Sequence, residues 1–191
     1  MNVAYIQPIF CPNEYMFNKN LNSVISFVNY YVKNGYTFKC VFGGYSSTDD
    51  FFSRICDALF PIENITIKRF DKNYGKAYIV NDLASEISEV DYFLTADSDI
   101  LYDINQHDMF DRLLGAVTFT GHIGQRAGVI GLTQLENNCH ILSICNEYCR
   151  EYIHKSTPER ISRPVYSFGG MAGGCIFVDN GMWKRIGGYK V

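Results

Sequence analysis

The stretch Tyr92-Phe93-Leu94-Thr95-Ala96-Asp97-Ser98-Asp99 decides which fold and which function this sequence predicts. Its first five residues are apolar or strand-forming, which is typical of a buried β-strand. Two aspartates follow at positions i and i+2, so at a strand end their carboxylates can converge on one side of a divalent cation. Hard carboxylate oxygens suit Mg²⁺ or Mn²⁺, which also accept oxygens from a diphosphate. Acidic turns are common, however, so the triplet gains its meaning from its place in the fold.

Strands and helices alternate in the residues before Asp97. The predicted order is strand 3–9, helix 20–34, strand 37–42, a helix through 51–60 capped by Thr48 or Asp49, strand 65–70, helix 76–87 and strand 91–96. Such alternation predicts an α/β fold with a doubly wound, mostly parallel central sheet. Right-handed crossovers then collect the loops at 8–13, 43–49, 71–76 and 97–103 along one edge, where ligands of such sheets bind.

The second half of the chain has a less regular pattern. It predicts a helix at 106–114, a strand at 116–120, a glycine-rich loop or hairpin at 121–134, an amphipathic helix at 136–154, a loop at 163–174, a strand at 175–178 and a short helix at 182–186. Repeats, low-complexity tracts and linkers are absent from the sequence. A single domain, 1–191, is therefore expected.

Two glycine-containing motifs flank the acidic triplet. Asn73-Tyr74-Gly75-Lys76-Ala77 precedes a predicted helix, whose first N–H groups and Lys76 can attract an anion. The alternative is an ordinary helix start with a solvated lysine. Residues 169–177 carry four glycines in six positions before a strand, which indicates backbone packed against a ligand or a neighbouring segment. A flexible loop or a bulge is the alternative for that segment.

Composition excludes several classes of protein. Acidic residues number 20 and basic residues 17, a net charge of −3, so the chain lacks the basic excess that binding to nucleic acid requires. Hydrophobic residues make up 47%, which is enough for a folded core. No stretch approaches the roughly 20 apolar residues of a membrane span. The first ten residues resemble a strand rather than a signal peptide, so we expect a cytoplasmic protein without a transmembrane segment.

The sequence contains seven cysteines, an odd number that favours free thiols in a reducing compartment. Cys139, His140, Cys145 and Cys149 lie close together, with Cys145 and Cys149 on one face of the predicted helix 136–154. A zinc site is possible there, but the spacing matches no standard zinc motif. Small apolar residues on a buried helical face are the favoured interpretation.

In this order the pieces resemble family 2 glycosyltransferases with the GT-A fold. The matching segments are Gln7-Pro8-Ile9-Phe10, the loop 43–49, Asn73 to Ala77, Asp97 to Asp99, Gly173-Gly174 before the strand 175–178, and Trp183 to Tyr189. The resemblance implies a nucleotide-binding half at 1–103 and a donor-sugar and acceptor half at 104–191. It also implies an inverting, metal-dependent transfer of a sugar from a UDP- or GDP-type donor to a hydroxyl of a glycan or another acceptor.

Site residues follow from the same resemblance. Pro8 and Phe10 border the nucleoside, and Lys76 lies near the base or the phosphates. Asp97 faces the ribose or the donor, and Ser98 is a further nucleotide- and donor-binding residue. Asp97 and Asp99 hold Mn²⁺ or Mg²⁺. Gly173 and Gly174 shape the donor-sugar side.

This sequence departs from the family pattern at three places. Gly43 and Gly44 replace a carboxylate at the end of the second strand, and Val80-Asn81 replaces an arginine. Family members continue beyond Tyr189 with acidic residues, so no general base is assigned here. The alternatives are a truncated or degenerate nucleotide-sugar-binding module and a nucleotidyltransferase. The latter usually has a glycine-rich, basic segment after its first strand, where this chain has Cys11-Pro12-Asn13-Glu14.

Overall fold

The computed structural model describes residues 1–105, 110–111, 129–131, 135–136, 139–140, 149–153, 160–164 and 174–189. The strands are β1 Val3–Cys11, β2 Lys39–Ser46, β3 Ile65–Phe70, β4 Tyr92–Ala96, β5 Val129–Gly131, β6 Leu135–Glu136, β7 Cys139–His140, β8 Cys149–Ile153, β9 Arg160–Pro164 and β10 Cys175–Asp179. The helices are α1 Glu14–Lys33, α2 Asp49–Leu59, α3 Lys76–Ser85 and α4 Asn180–Ile186.

Within the part of the chain that the structure describes, six strands form the central sheet in the order β3-β2-β1-β4-β10-β5. The first four of these are parallel, while β10 runs antiparallel to both β4 and β5. The predicted α/β class with a doubly wound, mostly parallel sheet is confirmed. The chain moves outward from β1 to β3 and then returns to place β4 on the other side of β1, so the topological switch lies between β1 and β4.

Alternate residues of β1 serve two hydrophobic cores, one on each face of the sheet. Tyr5 and Ile9 pack in the core that contains buried residues of α1 and α2. Ala4 and Ile6 pack in the core that contains buried residues of α3 and α4. This alternation follows from the two-residue period of a strand. The first core is rich in aromatic rings, such as Tyr5 stacked on Phe27 at 3.9 Å between centroids, so the many Tyr and Phe residues found there serve packing.

Side-chain caps set where three of the described helices begin, and one of these caps is Asp179, whose carboxylate accepts from the Met182 amide at 2.9 Å at the start of α4. The Asn13 side chain accepts a hydrogen bond from the Met16 amide, and α1 therefore begins earlier than the predicted position 20. Thr48, one of the two predicted caps, accepts a hydrogen bond from the Phe51 amide and begins α2. The α3 helix follows Gly75 and has no side-chain cap.

The strand β2 is longer than predicted, because Gly43 and Gly44 belong to it rather than to a loop at 43–49. Gly43 pairs with Lys68 of β3, and a Cβ atom there would lie 2.7 Å from the Lys68 carbonyl oxygen. At Gly44 a Cβ atom would overlap with the Ile9 carbonyl oxygen. These two glycines allow β2 to fit between its neighbours, which explains why no carboxylate stands there.

The predicted helix 136–154 is wrong at every residue of it that the structure describes. Cys139–His140 and Cys149–Ile153 are strands, and Cys149–Ile153 pairs antiparallel with Arg160–Pro164. That pairing also replaces the start of the loop predicted at 163–174. The apolar spacing of the segment suits a helix, but pairing with the next strand along the chain overrides this spacing. The helical face that was to bring Cys145 and Cys149 together therefore does not form at Cys149.

Other expectations fall mainly outside the described residues. The strand at 116–120 does so completely, and of the helix at 106–114 only Phe110 and Asp111 are described, both helical. The predicted free thiols are confirmed for Cys11, Cys40, Cys56 and Cys175.

Candidate functional site

The candidate site lies at the carboxyl end of β4, beside the topological switch. In the described sheet, β1 pairs with β4 only as far as Ile6 opposite Thr95, while it continues alongside β2 to Cys11. The strands β1 and β4 therefore separate at this edge, directly before Asp97. Pro8, which has no N–H group to give to a neighbouring strand, lies in the part of β1 beyond that separation. This is the position at which open α/β sheets bind ligands.

Two of the predicted motifs contact each other at this edge. The Lys76 ammonium group forms an ion pair with the Asp97 carboxylate, although the two residues belong to different elements. Both side chains are about one-third exposed, at 36% and 33%, so the pair lies at the surface of the site. Gly75 prepares this geometry with a positive φ of 83°, and its amide donates to the Asn73 side chain at 2.9 Å.

A third motif joins the same place through the backbone. The Asp97 amide donates to the Gly174 carbonyl oxygen at 2.6 Å. Gly174 is the last glycine of its motif, directly before β10, whose Cys175 lies opposite Ala96 of β4. Lys76, Asp97 and Gly174 are therefore neighbours. Gly173 lies outside the described residues.

Tyr189 completes the side of the site that faces α3. The Lys76 nitrogen lies 5.7 Å from the centroid of the Tyr189 ring, and the Tyr189 hydroxyl is 2.9 Å from the Thr95 hydroxyl. The Asn81 side chain bonds both the amide and the carbonyl of Tyr189, each at 2.8 Å. Gly188 has a positive φ of 76° and leaves no room for a Cβ atom beside Asn81. Asn81 thus attaches the end of the described chain to α3.

Asp99 ends the acidic turn, Asp97–Asp99, and lies on the side of it that faces α1. It is exposed, whereas Asp97 and Ser98 are half-buried. The nearby Tyr15 hydroxyl and, to a smaller extent, the Asp99 charge raise the pKa of Lys19 on α1. Since α1 and α3 pack on opposite faces of the sheet, the acidic turn has a lysine on each side.

The chemistry of this turn suits a hard cation in part. Asp97 and Asp99 offer carboxylate oxygens of the kind that Mg²⁺ and Mn²⁺ prefer. Within the described residues, no group of three or more His, Cys, Asp or Glu could hold a metal ion. A cation here would therefore need further oxygens from a ligand such as a diphosphate.

Phe10 is oriented differently from the cluster around Asp97. It is half-buried at the end of β1, with its ring 6.4 Å from that of Tyr45 on β2. Its backbone is fixed by the Asn20 side chain, which accepts from the Phe10 amide at 2.9 Å and donates to its carbonyl at 3.2 Å. Phe10 thus lies on the β2 side of β1, while Asp97 lies on the β4 side.

Several residues of the site escaped the sequence-based prediction. Gln7 donates to the Asp97 carbonyl oxygen at 3.1 Å, although it stands in an apolar strand. In the sequence, Thr95 has the character of an ordinary strand residue. Asn81 stands out there only as a departure from the pattern of the glycosyltransferase family. A polar residue inside an apolar strand, as at Gln7, is the one signal in the sequence that could have been used.

Solved structures with the same fold include glycosyl and nucleotidyl transferases. The chain is similar to TarS 1-349 from S. aureus, with 16% identity, a TM-score of 0.61, and coverage of 98% of this chain and 49% of that one. It is equally similar to the mannosyltransferase PcManGT from Pyrobaculum calidifontis, in complex with GDP-Man and Mn²⁺, with 16% identity, a TM-score of 0.59, and coverage of 99% and 47%. It is also similar to a putative glucose-1-phosphate thymidylyltransferase from Bacillus anthracis, with 13% identity, a TM-score of 0.51, and coverage of 99% of this chain and 76% of that one.

The chain spans about half the length of the first two of these structures. No protein-family model and no curated protein matches it. Among the described residues, no helix is both long enough and apolar enough to cross a membrane. At such low identity the solved structures establish the architecture alone, and that architecture is the GT-A-like fold of nucleotide-sugar transferases.

Proposed function

We propose that this chain is a glycosyltransferase, or the donor-binding part of one, that moves a sugar from a nucleotide-diphosphate donor to an acceptor hydroxyl. The observation that carries the proposal is the meeting of Lys76, Asp97 and Gly174 at the end of β4. Three motifs separated in the sequence converge there, at the edge where such folds bind ligands. A site that combines the ammonium group of Lys76 with the carboxylates of Asp97 and Asp99 suits a ligand that contains both a diphosphate and a sugar.

The residues of the site have distinct roles in the proposal. Lys76 donates to the diphosphate and offsets the negative charge that grows on the departing nucleotide. The Asp97 carboxylate accepts a hydrogen bond from a hydroxyl of the ribose or of the donor. The Gly174 backbone lies against the donor sugar. The nucleoside lies near Pro8 and Phe10. Catalysis then depends on holding the donor and the acceptor in line, because the leaving group is already activated.

A divalent cation fits the same arrangement. Asp99, with Asp97, would hold Mn²⁺ or Mg²⁺ together with oxygens of the diphosphate. When bound, the cation supplies positive charge to the leaving nucleotide diphosphate. The mannosyltransferase of the same fold that was solved with GDP-Man and Mn²⁺ makes this combination of ligands reasonable for this chain.

The second candidate is a nucleotide-sugar-binding module without transfer activity, since no general base is assigned among the residues of the site. Slow hydrolysis of the donor without transfer to any acceptor would support it. The nucleotidyltransferase alternative has the same fold. It is less favoured because β1 is followed by only Pro12 and Asn13 before α1, and Asn13 caps that helix. No glycine-rich basic loop fits between them.

The experiment is a screen of UDP- and GDP-sugars by thermal shift, with and without Mn²⁺. We expect one donor class to raise the melting temperature by several degrees, because ligand at about 100 times its Kd stabilises by about 2.7 kcal/mol. Asp99→Ala should abolish the Mn²⁺-dependent part of the shift, while Asp50→Ala, an exposed aspartate on α2, should leave it unchanged. A wild-type protein that no nucleotide sugar stabilises with either cation would contradict the proposal.

The remaining assignments stay predictions from the sequence. They comprise inversion at the sugar, the cytoplasmic location, the exclusion of nucleic acid as a partner, and the division of one domain into halves at 1–103 and 104–191.

A further inference from the structure

Gln7 is a buried polar residue in the middle of an apolar strand. It is 1% exposed, between Ile6 and Pro8 of β1. A buried amide destabilises the folded state unless its donors and acceptor are hydrogen-bonded. Its neighbours in β1 do not need such a group for packing, so the partners of the amide indicate what it is for.

The partners form a directional chain of hydrogen bonds beneath the acidic turn. The Tyr5 hydroxyl donates to Gln7 Oε1 at 3.0 Å, which leaves the Tyr102 hydroxyl to donate to Tyr5 at 2.8 Å. Gln7 Nε2 donates to Ser23 Oγ at 2.7 Å and to the Asp97 carbonyl oxygen at 3.1 Å. Both donors and the acceptor of the Gln7 amide are therefore satisfied by protein groups.

The chain continues to further points of the loop after β4. Ser23 donates to the Ile100 carbonyl oxygen at 2.6 Å, and the Tyr102 amide donates to Ser26 Oγ at 3.1 Å. The loop is thus fixed at positions 97, 100 and 102 by groups of β1 and α1. Burial raises the pKa of both Tyr5 and Tyr102, so the hydroxyls that support this arrangement stay protonated.

Gln7 and Gly174 hold the two backbone groups of Asp97. Gln7 donates to its carbonyl oxygen, and Gly174 accepts from its amide. With both peptide groups fixed, the direction of the Asp97 carboxylate towards Lys76 is also restricted. We propose that Gln7 is a positioning residue, held by its buried bonds to Tyr5 and Ser23, which orients the Asp97 carboxylate for binding of the cation and of a hydroxyl of the nucleotide donor. This inference rests on the proposed function of the site.

The test compares Gln7→Leu with Tyr31→Phe. Leucine keeps most of the glutamine volume but removes every hydrogen bond of the amide. Tyr31 donates a buried hydrogen bond to the Phe38 carbonyl oxygen at 2.9 Å, between the end of α1 and the start of β2, and so serves as a control for lost stability. Two quantities are measured for each variant: amide hydrogen exchange over residues 97–102, and the Kd of UDP and GDP in the presence of Mn²⁺.

We expect Gln7→Leu to speed exchange over 97–102 by tenfold or more and to raise the Kd by at least tenfold. Tyr31→Phe should change both by less than twofold in conditions where each variant is fully folded. Equal effects of the two variants would overturn the positioning role. If Gln7→Leu does not fold, Tyr5→Phe is the second variant: it removes the bond to Gln7 Oε1 together with the one that Tyr5 accepts from Tyr102, and about threefold changes in both quantities are expected.

Failure of the proposed function gives a different result. In that case the wild-type protein binds neither UDP nor GDP with Mn²⁺, whatever residue stands at position 7. The exchange rates still decide whether Gln7 holds the acidic turn, since they need no ligand. Unchanged exchange in Gln7→Leu would overturn the inference even if the wild-type protein binds nucleotide.

Discussion

The Lys76–Asp97 ion pair joins two motifs that are 21 residues apart in the sequence. Lysine at a helix start is most often solvated, and that was the alternative for Lys76. Because the pair is about one-third exposed, solvent weakens it and its contribution to stability is small, about 0–1 kcal/mol. We infer that the lysine is retained for a ligand rather than for the fold.

Lys76→Met tests that inference at a single residue. We expect the Kd for the nucleotide diphosphate to rise about tenfold or more, equivalent to about 1.4 kcal/mol, because a charged donor to the phosphates is lost. The free energy of unfolding should change by less than about 1 kcal/mol. Titration calorimetry and chemical denaturation measure the two quantities.

Lys72→Met is the matched control for this prediction. Lys72 belongs to the same loop, but its ammonium group lies over the Tyr74 ring, 4.8 Å from the centroid. Its removal should leave the Kd within about twofold of wild type, less than 0.5 kcal/mol. Equal losses of affinity in the two variants would mean that the general charge of the loop, and not the contact with Asp97, binds the ligand.

Elements with strong local patterns were predictable from the sequence. The strand β3 was predicted with its observed bounds, and β4 differs from its prediction by one residue. The residue types within each segment and the turn residues around it decide such strands, even where the neighbouring strands in the sheet are far along the chain, as for β4. The position of Asp97 after a buried strand could be predicted for the same reason.

Features that depend on strand pairing were not predictable. The residues Cys149–Ile153 pair with Arg160–Pro164, which begins only seven residues after Ile153, and the apolar spacing of the segment does not indicate that pairing. In the same way, the reversed direction of β10 follows from its contacts with β4 and β5 and not from its own residues. In the site, Gln7 and Asn81 gain their roles from residues 90 and 108 positions away.

Asn81 tests whether the contact between α3 and the Gly187–Tyr189 turn matters for the site. Asn81→Leu removes two hydrogen bonds to Tyr189, which should lower the free energy of unfolding by about 1–3 kcal/mol. The ring beside Lys76 would also lose its anchor, so we expect weaker nucleotide binding. Denaturant unfolding and calorimetry measure these effects.

The control for this element is Asn34→Ala. Asn34 donates a local hydrogen bond to the Tyr30 carbonyl at the end of α1 and makes no link between elements through that bond. We expect a loss of stability but an unchanged Kd. Weaker binding in Asn34→Ala than in Asn81→Leu would contradict the role assigned to the α3 contact.

At the scale of the whole molecule, buried thiols make the free energy of unfolding depend on pH in the alkaline range. Burial raises the pKa of Cys11, Cys40 and Cys175 from 9.0 to about 12. These groups stay neutral in the folded protein while the unfolded chain ionises them. Unfolding therefore releases protons above pH 9, so stability is complete below the unfolded pKa of 9.0 and is lost as the pH rises towards 12.

The expected result is a free energy of unfolding that falls between pH 9 and 11, by up to about 1.4 kcal/mol per pH unit for each such thiol. Cys40→Ala should reduce the fall in the free energy of unfolding per pH unit by the contribution of one thiol. We expect this even though the variant is less stable at pH 7. Denaturant unfolding at several pH values measures the slope. A slope in Cys40→Ala as steep as in the wild type would contradict the assignment to the buried thiol.

The proposed function requires that the turn at Asp97–Asp99 binds a cation together with a nucleotide diphosphate. Paramagnetic broadening of amide NMR signals by sub-stoichiometric Mn²⁺, with saturating UDP or GDP, tests it most directly. We expect the signals of Asp97, Ser98, Asp99, Lys76 and Gly174 to broaden first and Asp99→Ala to remove the effect. Broadening centred on another part of the molecule, or none at all with either nucleotide, would contradict it.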